Sequence, residues 1–168
     1  MALTYGYAEP QDFLSVAREF TGVEHRLEPV RILDGVEYIN GSIDSSPTRT
    51  IAALSALGGR DIVVICGGYD KNLDYAPLAP KLCESARVLV LTGATADKIE
   101  SALKNYEGYK GIPEIIRAES FEQTVTIARE HAKEGGCVLL SPASASFDRF
   151  DNFVQRGRYF KKLVNELQ

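Results

Sequence analysis

Val138-Leu139-Leu140-Ser141-Pro142-Ala143-Ser144-Ala145-Ser146-Phe147-Asp148 is the stretch on which the reading of the chain turns. Val138 to Leu140 is a short apolar run of the kind that forms a buried strand. At Ser141 small, hydroxyl-bearing residues take over, and Pro142 fixes a bend. Over residues 149–167 apolar side chains recur at helical spacing. A strand, a small polar loop and a helix, in that order, set backbone N–H groups and hydroxyls at the carboxyl edge of an α/β sheet. Such folds bind ligands there.

The same layout occurs twice more. Tyr38-Ile39-Asn40 leads into a polar loop at residues 41–46, and Ile62-Val63-Val64-Ile65-Cys66 leads into Gly67-Gly68-Tyr69-Asp70-Lys71-Asn72. In a parallel sheet the three loops share one rim. The pattern elsewhere supports such a sheet. Strands are expected over residues 62–66, 88–91, 114–118 and 137–140, each followed by a helix, over 75–84, 96–105, 121–133 and 149–167. Successive strand-then-helix units predict a mostly parallel sheet with helices on both faces. Upstream, strand-like runs over 26–33 and 36–39 flank Asp34-Gly35, a hairpin signal that adds one or two strands at an edge. Ser46 and Pro47 open a helix that stops at Gly58-Gly59. Residues 11–20 have the spacing of an amphipathic helix ended by Gly22, and residues 1–10 show no periodicity, as in a tag or linker.

With 168 residues, 45% hydrophobic and 25% charged, one ordinary globular domain is expected. The net charge of −4 gives no general attraction to nucleic acid or anionic lipid. No apolar run approaches the roughly 20 residues of a membrane span, and no signal-peptide pattern opens the chain. Cys66, Cys83 and Cys137 lack metal-ligand spacing, and Cys66 and Cys137 end apolar runs, as reduced core thiols do. A cytoplasmic location is the expectation.

Chemistry is sparse. Gly67-Gly68 permits a tight turn and close backbone approach, and Lys71 puts a cation on the rim, suited to a carboxylate or phosphate. The alternative is a flexible turn with a solvated lysine. The G-x-x-x-x-G-K-[ST] phosphate loop occurs nowhere in the chain. Ser144 and Ser146 offer hydroxyls but lie outside a G-x-S-x-G nucleophile elbow. The two histidines are His25 and His131, and neither makes a nucleophile–base pair with a nearby serine. Asp44, Asp70, Asp74 and Asp148 fall on or near the rim, where plain surface acids are common. Arg26 suits either a nucleotide contact or the end of a strand. The residues therefore describe an α/β module with an anion-suited rim and no complete catalytic set.

Four stretches together resemble the C-terminal domain of the Mur ligases. They are Gly22-Val23-Glu24-His25-Arg26; Tyr38-Ile39-Asn40-Gly41-Ser42 with Pro47; Gly67-Gly68-Tyr69-Asp70-Lys71-Asn72-Leu73-Asp74-Tyr75; and the opening stretch, continued by Phe150, Asn152, Phe153, Gln155, Arg156 and Gly157. Order and spacing agree from about residue 20 to the end, most closely with the branch that adds D-glutamate to UDP-N-acetylmuramoyl-L-alanine. The resemblance implies a Rossmann-like doubly wound domain over residues 22–168, preceded over 1–21 by a tag or linker and the tail of a central ATPase domain. It implies a three-domain ligase using ATP and Mg2+, both held mainly by that central domain. In such a ligase ATP activates the substrate carboxylate as an acyl phosphate with loss of ADP, and the D-glutamate amine attacks it, forming the amide and releasing phosphate. D-glutamate is then expected at Lys71, Ser146, Phe153, Ser45 and Phe147, and the nucleotide at Arg26 and Asp44. The partners implied are the two substrates and the enzyme's own central domain, with no nucleic acid and no membrane. This chain departs from the family pattern at Gly41, where relatives carry an aspartate, and at Ile43, where they carry a lysine; Asp44 is the nearest replacement carboxylate. A sister Mur or folylpolyglutamate ligase, and a stand-alone anion- or nucleotide-binding module, are the competing readings.

Overall fold

A computed structural model describes residues 22–168. The hairpin comes first, as β1 (Glu28–Leu33) and β2 (Val36–Asn40). Asp34 and Gly35 both take positive φ, 52° and 73°, the backbone that a two-residue turn needs to match strand twist. Then follow α1 (Pro47–Ala56), β3 (Ile62–Cys66), α2 (Leu78–Ser85), β4 (Ala86–Leu91), α3 (Ala96–Lys104), β5 (Glu114–Arg117), α4 (Phe121–His131), β6 (Cys137–Leu140) and α5 (Phe153–Glu166). The helix expected over residues 11–20 lies outside the described residues.

The strands form one sheet in the order β1-β2-β6-β3-β4-β5. Only the β1–β2 pair is antiparallel; β2–β6, β6–β3, β3–β4 and β4–β5 are parallel. The hairpin thus sits at one edge, with β2 joined to the parallel sheet through β6. Alternating side chains divide the core between two faces. Val64, Leu89 and Leu139 pack with Leu54 of α1, Leu82 of α2 and Leu103 of α3. Val63, Val90 and Val138 pack with Val125 of α4 and Phe160 of α5. Helices cover both faces, as a doubly wound sheet requires. Among the described residues no helix is long and apolar enough to cross a membrane. Cys66 and Cys137 are free and buried, and burial pushes both thiols up, Cys137 to about 11.

Several boundaries differ from the sequence reading, and three of the helix and strand starts do so for a clear local reason. β1 starts at Glu28, not at residue 26, because His25 and Leu27 take positive φ and break the extended run. α2 starts at Leu78, not 75, because the Asp74 carboxylate accepts the Ala76 N–H at 2.9 Å and holds a turn ahead of the helix. α5 starts at Phe153, not 149. Asn152 caps it, accepting the Gln155 N–H at 2.9 Å, while Gln155 reaches back to the Asp151 N–H at 2.8 Å.

Candidate functional site

Because β2, β6 and β3 are adjacent and parallel, the loops that leave their carboxyl ends meet on one rim. Backbone bonds lace them together. Gly41 donates to the Leu140 carbonyl at 2.8 Å, Gly67 to Pro142 at 2.8 Å and Tyr69 to Ala145 at 2.9 Å. Glycine is required where the second loop crosses its neighbours. Gly67 and Gly68 have φ of 112° and 151°, and a Cβ on either would stand 1.8 Å from the Thr92 carbonyl oxygen or 2.2 Å from that of Ala145.

Lys71 is exposed at the tip of this loop, with its Nζ 5.4 Å from the centre of the Phe147 ring. Among the described residues, ion pairs occupy Lys81, Lys98, Lys104, Lys161 and Lys162, but not Lys71. Phe147 is 57% exposed and meets Tyr69 edge-on at 5.9 Å, so two aromatic rings and a cation crown the rim. Ser146 is buried beside them, and its carbonyl receives the Arg149 and Phe150 N–H groups. Phe153 is half-buried at the start of α5, its ring edge-on to His25 at 5.8 Å and its carbonyl held by the Ser42 hydroxyl at 2.8 Å. Ser45 is half-buried on the loop after β2.

Arg26 and Asp44 come together in a different place. With Leu27, Arg49, Ala52 and Ala53 they line a cleft of about 310 Å³ against α1. Asp44 is 6% exposed and accepts the Ser141 hydroxyl at 2.8 Å, which also bonds Thr50 Oγ1 at 2.9 Å. Burial pushes the Asp44 carboxyl up to about 6, against the pull of the Ser141 bond and of Arg49 and Arg26. Two guanidinium groups suit phosphate, a carboxylate suits a ribose hydroxyl, and the apolar wall suits a base or sugar face, so this residue set fits a nucleotide. Two clefts of well over its volume lie elsewhere. One, of about 530 Å³, is lined by Phe121, Phe150 and Tyr159; the other, of about 680 Å³, by Tyr75, Lys98 and Tyr106. Neither includes Lys71, Ser146 or Arg26.

The family model described as "Mur ligase, glutamate ligase domain" matches residues 25–144. The chain belongs to this family. Among curated proteins, a UDP-N-acetylmuramoylalanine–D-glutamate ligase of Ruminiclostridium cellulolyticum is 44% identical over 99% of this chain and 36% of its own length. A protein of the same name from Symbiobacterium thermophilum is 50% identical over 90% of this chain and 32% of its own length. The chain thus spans about a third of the curated relatives it matches. Among solved structures, a murein peptide ligase from Psychrobacter arcticus superposes with a TM-score of 0.60 at 14% identity, over 92% of this chain and 32% of that one. A domain of a ligase from Haemophilus ducreyi does so at 0.53 and 16%, over 84% of this chain and 96% of that one. These likenesses show the fold of this Mur ligase domain and no more.

Two features of the domain's rim escaped the sequence reading as site elements. Arg156 is 2% exposed, yet among the described residues it meets no carboxylate. Its Nε donates to Ser42 Oγ at 3.1 Å, Nη2 to the Ser42 carbonyl at 2.9 Å, and Nη1 to the Ser144 and Ala145 carbonyls at 3.1 and 3.0 Å. It therefore ties the loops after β2 and β6 to α5. Burial pulls the guanidinium down to about 10, so it stays cationic at neutral pH. A signal was present: Phe153, Arg156, Phe160 and Val164 recur at helical spacing, and an arginine inside such a stripe is a buried arginine. His25 is the second. It is buried, its Nδ1 pairs with Asn40 Nδ2 at 2.9 Å, and among the described residues its Nε2 has no hydrogen-bond partner, with a Glu24 carboxylate oxygen 3.5 Å away. Burial holds this imidazole below its ordinary range, outweighing Glu24 and Glu28.

Proposed function

We propose that this Mur ligase domain is the amino-acid-binding part of an ATP-dependent ligase that joins D-glutamate to UDP-N-acetylmuramoyl-L-alanine, a cytoplasmic step of peptidoglycan synthesis. The observation that carries this reading is the 44–50% identity, over nine-tenths or more of the chain, to proteins named for that reaction. In this proposal residues 22–168 are the amino-acid-binding domain. Residues 1–21 are a tag or linker and the tail of the central domain, which binds most of the ATP and Mg2+.

D-glutamate brings two carboxylates and an amine. Lys71 takes one carboxylate through a charge-assisted bond, the strongest kind available to it. Ser146 and Ser45 add neutral hydroxyl donors, and Phe153 and Phe147 wall the methylene chain. Ser146 acts as a donor and not a nucleophile; among the described residues no histidine is bonded to it. On the nucleotide side Arg26 meets phosphate and Asp44 a ribose hydroxyl. ATP supplies the activation of the acceptor carboxylate, and the residues of this domain bring the D-glutamate amine to it and exclude water.

The test is phosphate release by the longer protein that contains this chain, given ATP, UDP-N-acetylmuramoyl-L-alanine and a panel of amino acids. Release with D-glutamate, and little with L-lysine or meso-diaminopimelate, is the expected result. Preference for another amino acid or for a folate overturns the reading. The chain alone should release nothing above blank, because it lacks the phosphate loop.

A further inference from the structure

The loop that presents Lys71 rests on the first turn of α3, a helix with no part in the reading above. Gly68 and Thr95 exchange two hydrogen bonds: Gly68 N–H to Thr95 Oγ1, and Thr95 N–H to the Gly68 carbonyl, each 3.1 Å. One turn on, Lys98 Nζ pairs with Asp70 Oδ2 at 2.5 Å and donates to Asn72 Oδ1 at 3.3 Å. Asp70 and Asn72 are the two neighbours of Lys71. Asp70 Oδ1 also accepts the Asn72 N–H at 2.8 Å, and Asn72 takes a φ of 56°. The Lys98 and Asn72 bonds hold the Asp70 carboxyl below its ordinary range. Both flanking side chains are thus drawn to α3, while Lys71 reaches to Phe147, 5.4 Å away.

The same turn also touches the other half of the rim. Thr95 Oγ1 lies 2.8 Å from Ser144 Oγ, which lies 2.8 Å from the Tyr75 hydroxyl. Thr95, Ser144 and Tyr75 are all buried. One hydroxyl therefore fixes the loop of Lys71 and the loop of Ser146 to a common point.

We propose that Thr95 and Lys98 are positioning residues for the amino-acid substrate: they hold Lys71 and Ser146 at a fixed separation through the loops that carry them. The inference rests on the D-glutamate reading of Lys71 and goes beyond it, since neither residue touches the substrate. A stability role for Lys98 is a poor alternative. Its pair with Asp70 is 46% and 26% exposed, and exposed ion pairs add little to folding. An effect on substrate affinity without one on folding is therefore diagnostic.

The experiment is steady-state kinetics of the full ligase, with Lys98→Met, Asp70→Asn, their double variant, Thr95→Val, Thr95→Ser and Lys71→Ala measured side by side with melting temperatures. Lys98→Met and Asp70→Asn should each raise the KM for D-glutamate by about three- to tenfold, with kcat within about twofold and the other KM values unmoved. The double variant should be no worse than Lys98→Met alone, because Lys98→Met already removes the ion pair that Asp70→Asn breaks. Thr95→Val leaves the Gly68 N–H unpaired and should raise the same KM further, while Thr95→Ser, which keeps the hydroxyl, should restore it. If Lys71→Ala raises this KM but Lys98→Met and Thr95→Val do not, the positioning role is wrong and the D-glutamate reading stands. If Lys71→Ala itself leaves the KM unchanged, both fall.

Discussion

The Asp44 carboxylate fills the space that a side chain at residue 41 would enter. A Cβ added to Gly41 would stand 2.6 Å from Asp44 Oδ2 and 2.7 Å from the Leu140 carbonyl oxygen. Glycine at 41 and aspartate at 44 are thus a matched pair in this chain.

Gly41→Ala should destabilise the domain by about 1–3 kcal/mol, the usual cost of overpacking. Adding Asp44→Ala removes the side-chain clash but not the backbone one, so the double variant should recover only part of the loss. Urea denaturation of the chain and both variants measures this. A Gly41→Ala variant as stable as the parent would mean that the niche is looser than described.

Asp44 also fixes a pH dependence. Its folded carboxyl titrates at about 6, above its ordinary 3.8. Between those values the folded chain holds a proton that the unfolded chain has released, so stability falls as pH rises through the window and stays lower above it. Asp44→Asn keeps an acceptor for Ser141 and removes the ionisation. It should be more stable than the parent above pH ~6, by at most about 3 kcal/mol, with the gain vanishing near pH ~4. Denaturation curves at several pH values would show the two lines converging; parallel lines would contradict the assignment.

Arg156 should be the costliest single residue on the rim. Arg156→Met leaves the Ser42 and Ser144 carbonyls buried without their donor, at about 1–3 kcal/mol for each, while the Ala145 carbonyl keeps the Tyr69 N–H. Arg156→Lys should not rescue it, because an ammonium cannot span four acceptors set out for a planar fork. Chemical denaturation that places Arg156→Lys near the parent would refute the clamp.

Much of the fold was legible in the sequence because its inner strands β3, β4 and β6 are nearly all apolar. Ile62 to Cys66 is entirely apolar and entirely buried, and each such run is followed by a helix with one apolar stripe. The placing of β6 between β2 and β3 was not legible, since periodicity tells which side of a strand is buried but not which strand lies beside it. That placement is what brings residue 45, residue 71 and residue 146 to one rim. Helix starts were missed where side chains compete with the backbone, as at Asp74 and Asn152. The Asn152-to-Gln155 capping box was nonetheless written in the sequence. Thr95 and Lys98 gave no signal, because a threonine ahead of a helix and a lysine on its exposed side read as ordinary surface chemistry until the loop of Lys71 is seen to rest on them.

In the proposed reading Lys71 holds the incoming D-glutamate, so Lys71→Ala in the full ligase is the decisive variant. Losing one charge-assisted hydrogen bond costs roughly 1.5–3 kcal/mol, so the KM for D-glutamate should rise about ten- to over a hundredfold. The KM for UDP-N-acetylmuramoyl-L-alanine should stay near that of the parent. Equal changes in both constants, or no change in either, would contradict the account.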